Sequence, residues 1–234
     1  MVGALSHPVP ETSSLPSLRT SIGDVPLHEY RLPLNGRSWS FLHTGAVLTR
    51  SDERRYLNDA RDPLPYGVML WPASIALAHE VSARAGQLVG KRVLELGAGT
   101  GVPGIVAASL GARVIQTDRN ELALHVCALN GERNAVPRIE RRIAHWETFE
   151  SAERYDLILG SDVLYATDMH EQLRAICEAH LAPGGVVLFS DPFREQSLPV
   201  LERMEADGWR VSLAKYRIQV ESGERAIAVY QLER

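Results

Sequence analysis

The chain has 234 residues, of which 45% are hydrophobic and 23% charged, a balance that excludes a mostly disordered protein. Lys and Arg number 25 against 29 Asp and Glu, a net charge of −4, so the basic excess usual in nucleic-acid-binding proteins is missing. No run of about 18 apolar residues could span a membrane, and Cys127 and Cys177 are too few for a disulfide framework or a cysteine zinc site. A reducing, cytoplasmic setting fits this usage.

Residues 1–22, with Pro8, Pro10 and Pro16 among serines and threonines, read as a mobile tail without a secretory leader. Residues 28–34 and 37–43 read as two strands joined through Asn35-Gly36, a dipeptide suited to a two-residue hairpin turn. Residues 51–60 suit a short polar helix capped by Ser51. Pro72 favours the first turn of a helix over 73–85, which Gly86 ends. The division expected is a tail (1–22), a hairpin-and-helix arm (23–66) and a main domain (67–234).

From residue 91 strand and helix alternate. Strands are expected at 91–96, 113–117, 138–143, 155–160 and 186–190. Helices are expected from Gly101 to about residue 110, at 120–133 with Asn120 as cap, at 168–181 capped by Thr167, and at 195–207. Two closing strands, 209–218 and 224–232, have a short connection and should be antiparallel. Short strands separated by helices make right-handed βαβ units, so the fold class is α/β, a doubly wound, Rossmann-like sheet of seven strands. Ligands of such sheets lie beyond the carboxyl ends of the strands.

That rule directs attention to the run Glu95-Leu-Gly97-Ala-Gly99-Thr-Gly101-Val-Pro-Gly104. Its glycines can take positive φ and admit a ligand close to the backbone. Asp118 ends the next strand, where a carboxylate can accept from both ribose hydroxyls. The spacing also matches a dinucleotide fingerprint, so two cofactors compete. A carboxylate at Glu95 would repel a pyrophosphate and attract the cationic end of S-adenosyl-L-methionine. The glycine turn lies well inside the chain, and Asp162-Val-Leu-Tyr165 follows the fourth strand, where a methyl acceptor would lie. These features favour S-adenosyl-L-methionine over NAD. His125, His170 and His180 have no ligand spacing with a third partner, so no metal site is expected.

Trp71-Pro72, the glycine run, Thr117-Asp118, Trp146 and Asp162-x-x-Tyr165 together resemble the class I methyltransferases of family 16, which mostly methylate lysine on other proteins. The resemblance covers roughly residues 65–232. Pro65-Tyr66 and Asp191-Pro-Phe-Arg194 are similar to the branch that methylates electron-transfer-flavoprotein β subunits. The resemblance implies that Gly97, Gly99 and Gly101 line the methionine part of the cofactor with Glu95 nearby. It implies further that Asp118 holds the ribose, Trp146 lies against the adenine and Trp71 closes from the N-terminal side. Ser161 and Asp162 would border the sulfonium, and Asp162 and Tyr165 would serve as catalytic residues beside the acceptor. His145 stands where many relatives have an acidic residue before the tryptophan. A small-molecule amine as acceptor, or an NAD-dependent oxidoreductase, are the competing readings; for the latter, no Tyr-x-x-x-Lys or catalytic histidine is evident.

Overall fold

The computed structural model describes residues 15–20, 23–45, 66–220 and 223–234; the helix expected at 51–60 lies outside them. Eleven strands occur among the described residues. β1 (Ser17–Thr20), β2 (Gly23–Pro26), β3 (His28–Leu34) and β4 (Arg37–His43) form two antiparallel pairs. β5 (Arg92–Leu96), β6 (Arg113–Asp118), β7 (Glu140–Ile143), β8 (Tyr155–Ser161), β9 (Leu181–Asp191), β10 (Arg210–Val220) and β11 (Gly223–Glu233) make one sheet in the order β10-β11-β9-β8-β5-β6-β7. The pairs from β7 to β9 are parallel, and β11 runs antiparallel to β9 and β10.

The five α-helices among the described residues are α1 (Pro72–Ala83), α2 (Val102–Ser109), α3 (Glu121–Arg133), α4 (His170–His180) and α5 (Leu198–Ala206). Successive residues of a strand face opposite ways, so Val93 joins one apolar cluster with α1 and α2, while Leu94 and Leu96 join the other with α4 and α5. Both faces of the parallel strands are thus covered, as such strands require. From β5 the chain builds β6 and β7 on one side, then crosses to β8 and β9 on the other. The crevice between the carboxyl ends of β5 and β8 is the topological switch point.

Several elements differ from expectation at their ends. Ser17–Thr20 is a strand rather than tail, because Leu18 and Leu27 bury against Leu42, Val68, Ala123 and Val126. β9 begins at Leu181, with an irregularity where the pairing steps from Tyr155↔Leu181 to Leu157↔Val186. Thr167 caps nothing; it opens a 3₁₀ turn, Thr167–Met169, before α4. A second 3₁₀ turn, Glu195–Ser197, precedes α5, whose first turn contains Pro199.

The β3–β4 hairpin turns at Asn35 and Gly36, both with positive φ (51° and 71°), the geometry expected of this dipeptide. Leu32, Leu34, Trp39 and Phe41 enter the same core as α1. Two asparagines one turn apart, Asn130 in α3 and Asn134 at its C-terminal cap, then clasp β4 through its backbone. Asn130 accepts from Leu42 N at 2.6 Å and donates to Leu42 O at 3.1 Å. Asn134 accepts from Ser40 N at 3.0 Å and donates to Ser40 O at 2.7 Å. Asn130 also donates to Thr100 O at 2.9 Å, which ties the hairpin to the glycine loop. Asn130 is fully buried, and each buried polar group left without a partner costs about 1–3 kcal/mol. Urea denaturation of Asn130→Ala is therefore expected to show a loss of about 3 kcal/mol or more; a loss below about 1 kcal/mol would mean that water replaces the amide.

Candidate active site

A cavity of about 390 Å³ opens at the carboxyl ends of β5, β6 and β8, within the range of small-molecule sites. Eight of the ten residues singled out from the sequence line it: Trp71, Gly97, Gly99, Asp118, Trp146, Ser161, Asp162 and Tyr165. Glu95 and Gly101 do not: Glu95 lies beneath the loop, and Gly101 is its last turn residue before α2, backed by Gln116 and Cys127. Arg119, Asn120, His145 and Arg194 also line the cavity; the sequence reading assigned Arg119 and Asn120 no place in the site, whereas His145 and Arg194 belong to runs already singled out, beside Trp146 and after the last parallel strand.

The floor is the glycine turn. Gly97, Gly99 and Gly101 have φ of 61°, 57° and 79°, a region that L side chains rarely adopt. A Cβ on Gly99 would also press to 3.2 Å from Gly67 O. Asp118 accepts from Gly99 N at 3.0 Å through Oδ2 and from Asn120 N at 2.9 Å through Oδ1. A carboxylate has about four acceptor positions, so both oxygens keep capacity for a ligand. Burial raises the Asp118 pKa above its ordinary value, with the backbone donors opposing.

Below the loop runs a buried polar chain. Glu95 accepts from Gly104 N at 3.0 Å and from Gln116 Nε2 at 2.7 Å. Gln116 Nε2 also donates to Gly101 O at 3.2 Å, and its Oε1 accepts from Arg141 at 3.1 Å. The Cys127 thiol donates to Gly99 O at 3.1 Å. A Cβ on Gly104 would collide with the Glu95 carboxylate, so glycine is required there for space. The electrostatic argument that set Glu95 against a pyrophosphate is therefore corrected. Its carboxylate faces the start of α2 and not the cavity, and burial lifts its pKa to about 7.

At the other end of the cavity Asp162 follows β8 with φ of 58°, held by its N–H on Ser190 O at 2.8 Å. Its carboxylate is engaged by Arg194. Arg194 also reaches Asp191 Oδ2 at 3.0 Å, and its backbone N–H bonds Asp191 Oδ1 at 2.6 Å. The guanidinium lies 6.0 Å from the centroid of the Tyr165 ring. Tyr165 is 41% exposed at the mouth. Trp146 and Trp71 are half-buried in the wall. The sequence signal for Arg194 was Asp-Pro-x-Arg after the last parallel strand. Its contact with Asp162, 32 positions away, cannot be read from spacing.

The family described as lysine methyltransferase matches residues 55–204. The chain belongs to this family. Proteins similar to this chain include the zebrafish (Danio rerio) protein N-lysine methyltransferase METTL21A, 35% identical over 173 residues, which cover 70% of this chain and 76% of that protein. The mouse (Mus musculus) histone-arginine methyltransferase METTL23 is 36% identical over 116 residues, 47% of this chain and 46% of that protein. In several relatives the matched stretch spans about half the relative's length. Among solved structures, a DhpI-SAM-HEP complex superposes with a TM-score of 0.54 at 22% identity, over 78% of this chain and 93% of that one, which shows a common fold.

The raised pKa of Glu95 has a measurable consequence. The unfolded chain releases this proton near 4.5 and the folded chain near 7, so between those values the folded state binds the extra proton and stability falls as pH rises. Urea denaturation at pH 5 and pH 8 is expected to show the wild type losing about 3 kcal/mol more across the interval than Glu95→Gln. Equal slopes would mean that Glu95 is ionised in the folded protein at both pH values.

Proposed function

We propose that this protein transfers a methyl group from S-adenosyl-L-methionine to a lysine side chain of another protein. The observation that carries the reading is one cavity lined by the glycine loop, Asp118 and the Asp162–Tyr165 pair, in a chain of the lysine methyltransferase family. The donor set fits the cofactor. Asp118 has acceptor capacity for a vicinal diol, and the glycines leave the loop backbone open to the cavity. The Trp146 ring offers a flat apolar wall for a base.

Bound S-adenosyl-L-methionine supplies a sulfonium-activated methyl group, whose S–C bond breaks as the acceptor nitrogen's lone pair forms the N–C bond. The protein's own work is to bind, align and desolvate. Gly97 and Gly99 hold the amino-acid end, Asp118 the ribose and Trp146 the adenine. Trp71 closes over the cofactor from the N-terminal side, and Ser161 borders the reacting end. Asp162 draws in the cationic acceptor side chain and orients it, and Tyr165 presents an aromatic face to the methylated cation. A lysine nitrogen has an ordinary pKa near ~10.4 and must lose a proton before it attacks; that proton passes to solvent at the mouth.

Tyr165, which lines the cavity and is 41% exposed at its mouth, favours an acceptor end open to a macromolecular substrate over one enclosed around a small amine. Arginine in a protein is a second acceptor of the same kind, favoured by the likeness to METTL23.

Incubation of the protein with radiolabelled S-adenosyl-L-methionine and host-cell extract is expected to label one or a few protein bands. Hydrolysis of those bands is expected to yield methyllysine; label confined to small molecules would overturn the protein-substrate reading. Asp118→Ala is expected to weaken cofactor binding by calorimetry about 10- to 100-fold, the worth of charge-assisted hydrogen bonds to a diol; unchanged affinity would remove the ribose assignment. Asp162→Ala is expected to keep cofactor affinity and lose about 100-fold or more in kcat, the scale of removing a preorganised charge; near-normal turnover would show that another group orients the acceptor.

A further inference from the structure

The chain leaves β8 at Asp162 and turns into α4 at His170. Five residues of this loop, Asp162, Val163, Tyr165, Ala166 and Met169, line the cavity. Val163 and Leu164 are buried in the apolar cluster shared with α4 and α5, whereas Tyr165, next in the chain, is 41% exposed at the mouth. The backbone therefore reverses its facing between Leu164 and Tyr165. Apolar burial has no direction of its own, so directional bonds must set the angle of that reversal.

The start of the loop is held by Asp162 N–H on Ser190 O at 2.8 Å. Its end is held by a side chain. His170 Nε2 lies 2.9 Å from Leu164 O, six residues earlier. A carbonyl oxygen only accepts, so Nε2 carries the proton and donates. His170 is 7% exposed and Leu164 0%, and a buried carbonyl stripped of its donor is costly. Two further bonds, Met169 N–H to Ala166 O and His170 N–H to Thr167 O, are local to the 3₁₀ turn. They leave the peptide between Leu164 and Tyr165 to the imidazole.

Because a peptide unit is planar, holding the Leu164 carbonyl sets the plane that leads into Tyr165 and the direction in which its ring leaves the backbone. We propose that His170 is a positioning residue for methyl transfer: its buried Nε2–H clips Leu164 O and holds the Tyr165 ring at the acceptor mouth. This rests on the reading of Tyr165 as the residue beside the acceptor. His170 itself does not line the cavity and acts through the loop. A histidine whose spacing offers no metal thus has its partner in a backbone carbonyl.

The test compares wild type with two variants. His170→Phe keeps a flat ring and removes the donor; His170→Gln carries an amide Nε2 that can donate from the same place. The acceptor is the protein band labelled in extract, and S-adenosylhomocysteine binding by calorimetry reports on the cofactor end. His170→Phe is expected to bind S-adenosylhomocysteine as the wild type does and to lose about 10-fold or more in kcat, within the roughly 100-fold that a misplacement of about 1 Å can cost. Its acceptor KM should change less than kcat, and His170→Gln should recover most of the loss. In a Tyr165→Ala background His170→Phe should cost little further, because both changes act on one group. Near-normal kcat in His170→Phe overturns the proposal. So do equal losses in both variants, a parallel loss of S-adenosylhomocysteine binding, or a 10-fold loss that persists without the Tyr165 ring. If His170→Phe does not fold, His170→Met takes its place; if no donor-free variant folds, His170 serves the fold and the proposal falls. Hydrogen–deuterium exchange over residues 163–169 needs no acceptor. It is expected to quicken in His170→Phe and to stay at the wild-type rate in His170→Gln. If the wild type labels no protein, the protein-substrate reading fails by itself, and unchanged exchange in His170→Phe would still overturn the clip.

Discussion

The carboxylate of Glu95 supports the glycine loop from below. It is 1% exposed and receives two donors, the Gly104 amide at the first turn of α2 and Gln116 on β6. Because Gln116 also holds the Gly101 carbonyl, the strand, the turn and the helix share one hydrogen-bonded node. Buried polar groups are costly unless satisfied, so the node specifies a single arrangement of the loop. The cavity floor inherits that arrangement, since Gly97 and Gly99 can present their backbone only if the turn keeps its positive-φ geometry.

The node also connects outward. Cys127 and Asn130, on the inner face of α3, bond the carbonyls of Gly99 and Thr100. Asn130 and Asn134 then reach β4, so the N-terminal hairpin is fastened to the helix that braces the loop. An edge strand has unpaired backbone groups along one side. Two asparagines spaced one helical turn apart match alternate residues of β4 and supply those partners. The hairpin is thereby part of the scaffold of the cavity as well as a cover for the apolar face of α1.

The two ends of the cavity use charge differently. At the β6 end Asp118 is held by backbone donors and keeps acceptor capacity for a neutral diol. At the β8 end Asp162 is matched with a buried cation and a second carboxylate, and two non-glycine residues there, Asp162 and Phe193, take positive φ. Strain of this kind persists where surrounding contacts over-determine it and is concentrated at functional sites. An end held by backbone donors and an end held by paired charges thus face each other across one cavity.

Most of the architecture could be read from local pattern. Apolar runs such as Leu157–Leu159 and Val186–Phe189, glycine after helices, Asn35-Gly36 and Pro72 each encode their element within a few residues, so the seven-stranded doubly wound sheet and the switch-point crevice followed. The glycine run, Asp118, Trp146 and Asp162-x-x-Tyr165 marked the site because each lies at the carboxyl end of a strand or in the loop after it, and βαβ topology brings those ends together. Short polar strands such as Ser17–Thr20 carry too little periodicity to be recognised, and they form because Leu18 and Leu27 find a surface made by distant residues. The direction in which a side chain points was beyond local pattern. Glu95 precedes the loop in sequence, yet the alternation of β5 sends its carboxylate to the α2 side, away from the cavity. Arg194 is three residues past a strand end, and only the strained turn at Phe193 carries its guanidinium back to Asp162. Motif spacing places backbones, whereas packing, burial and charge pairing across the folded chain decide which atoms face the cavity.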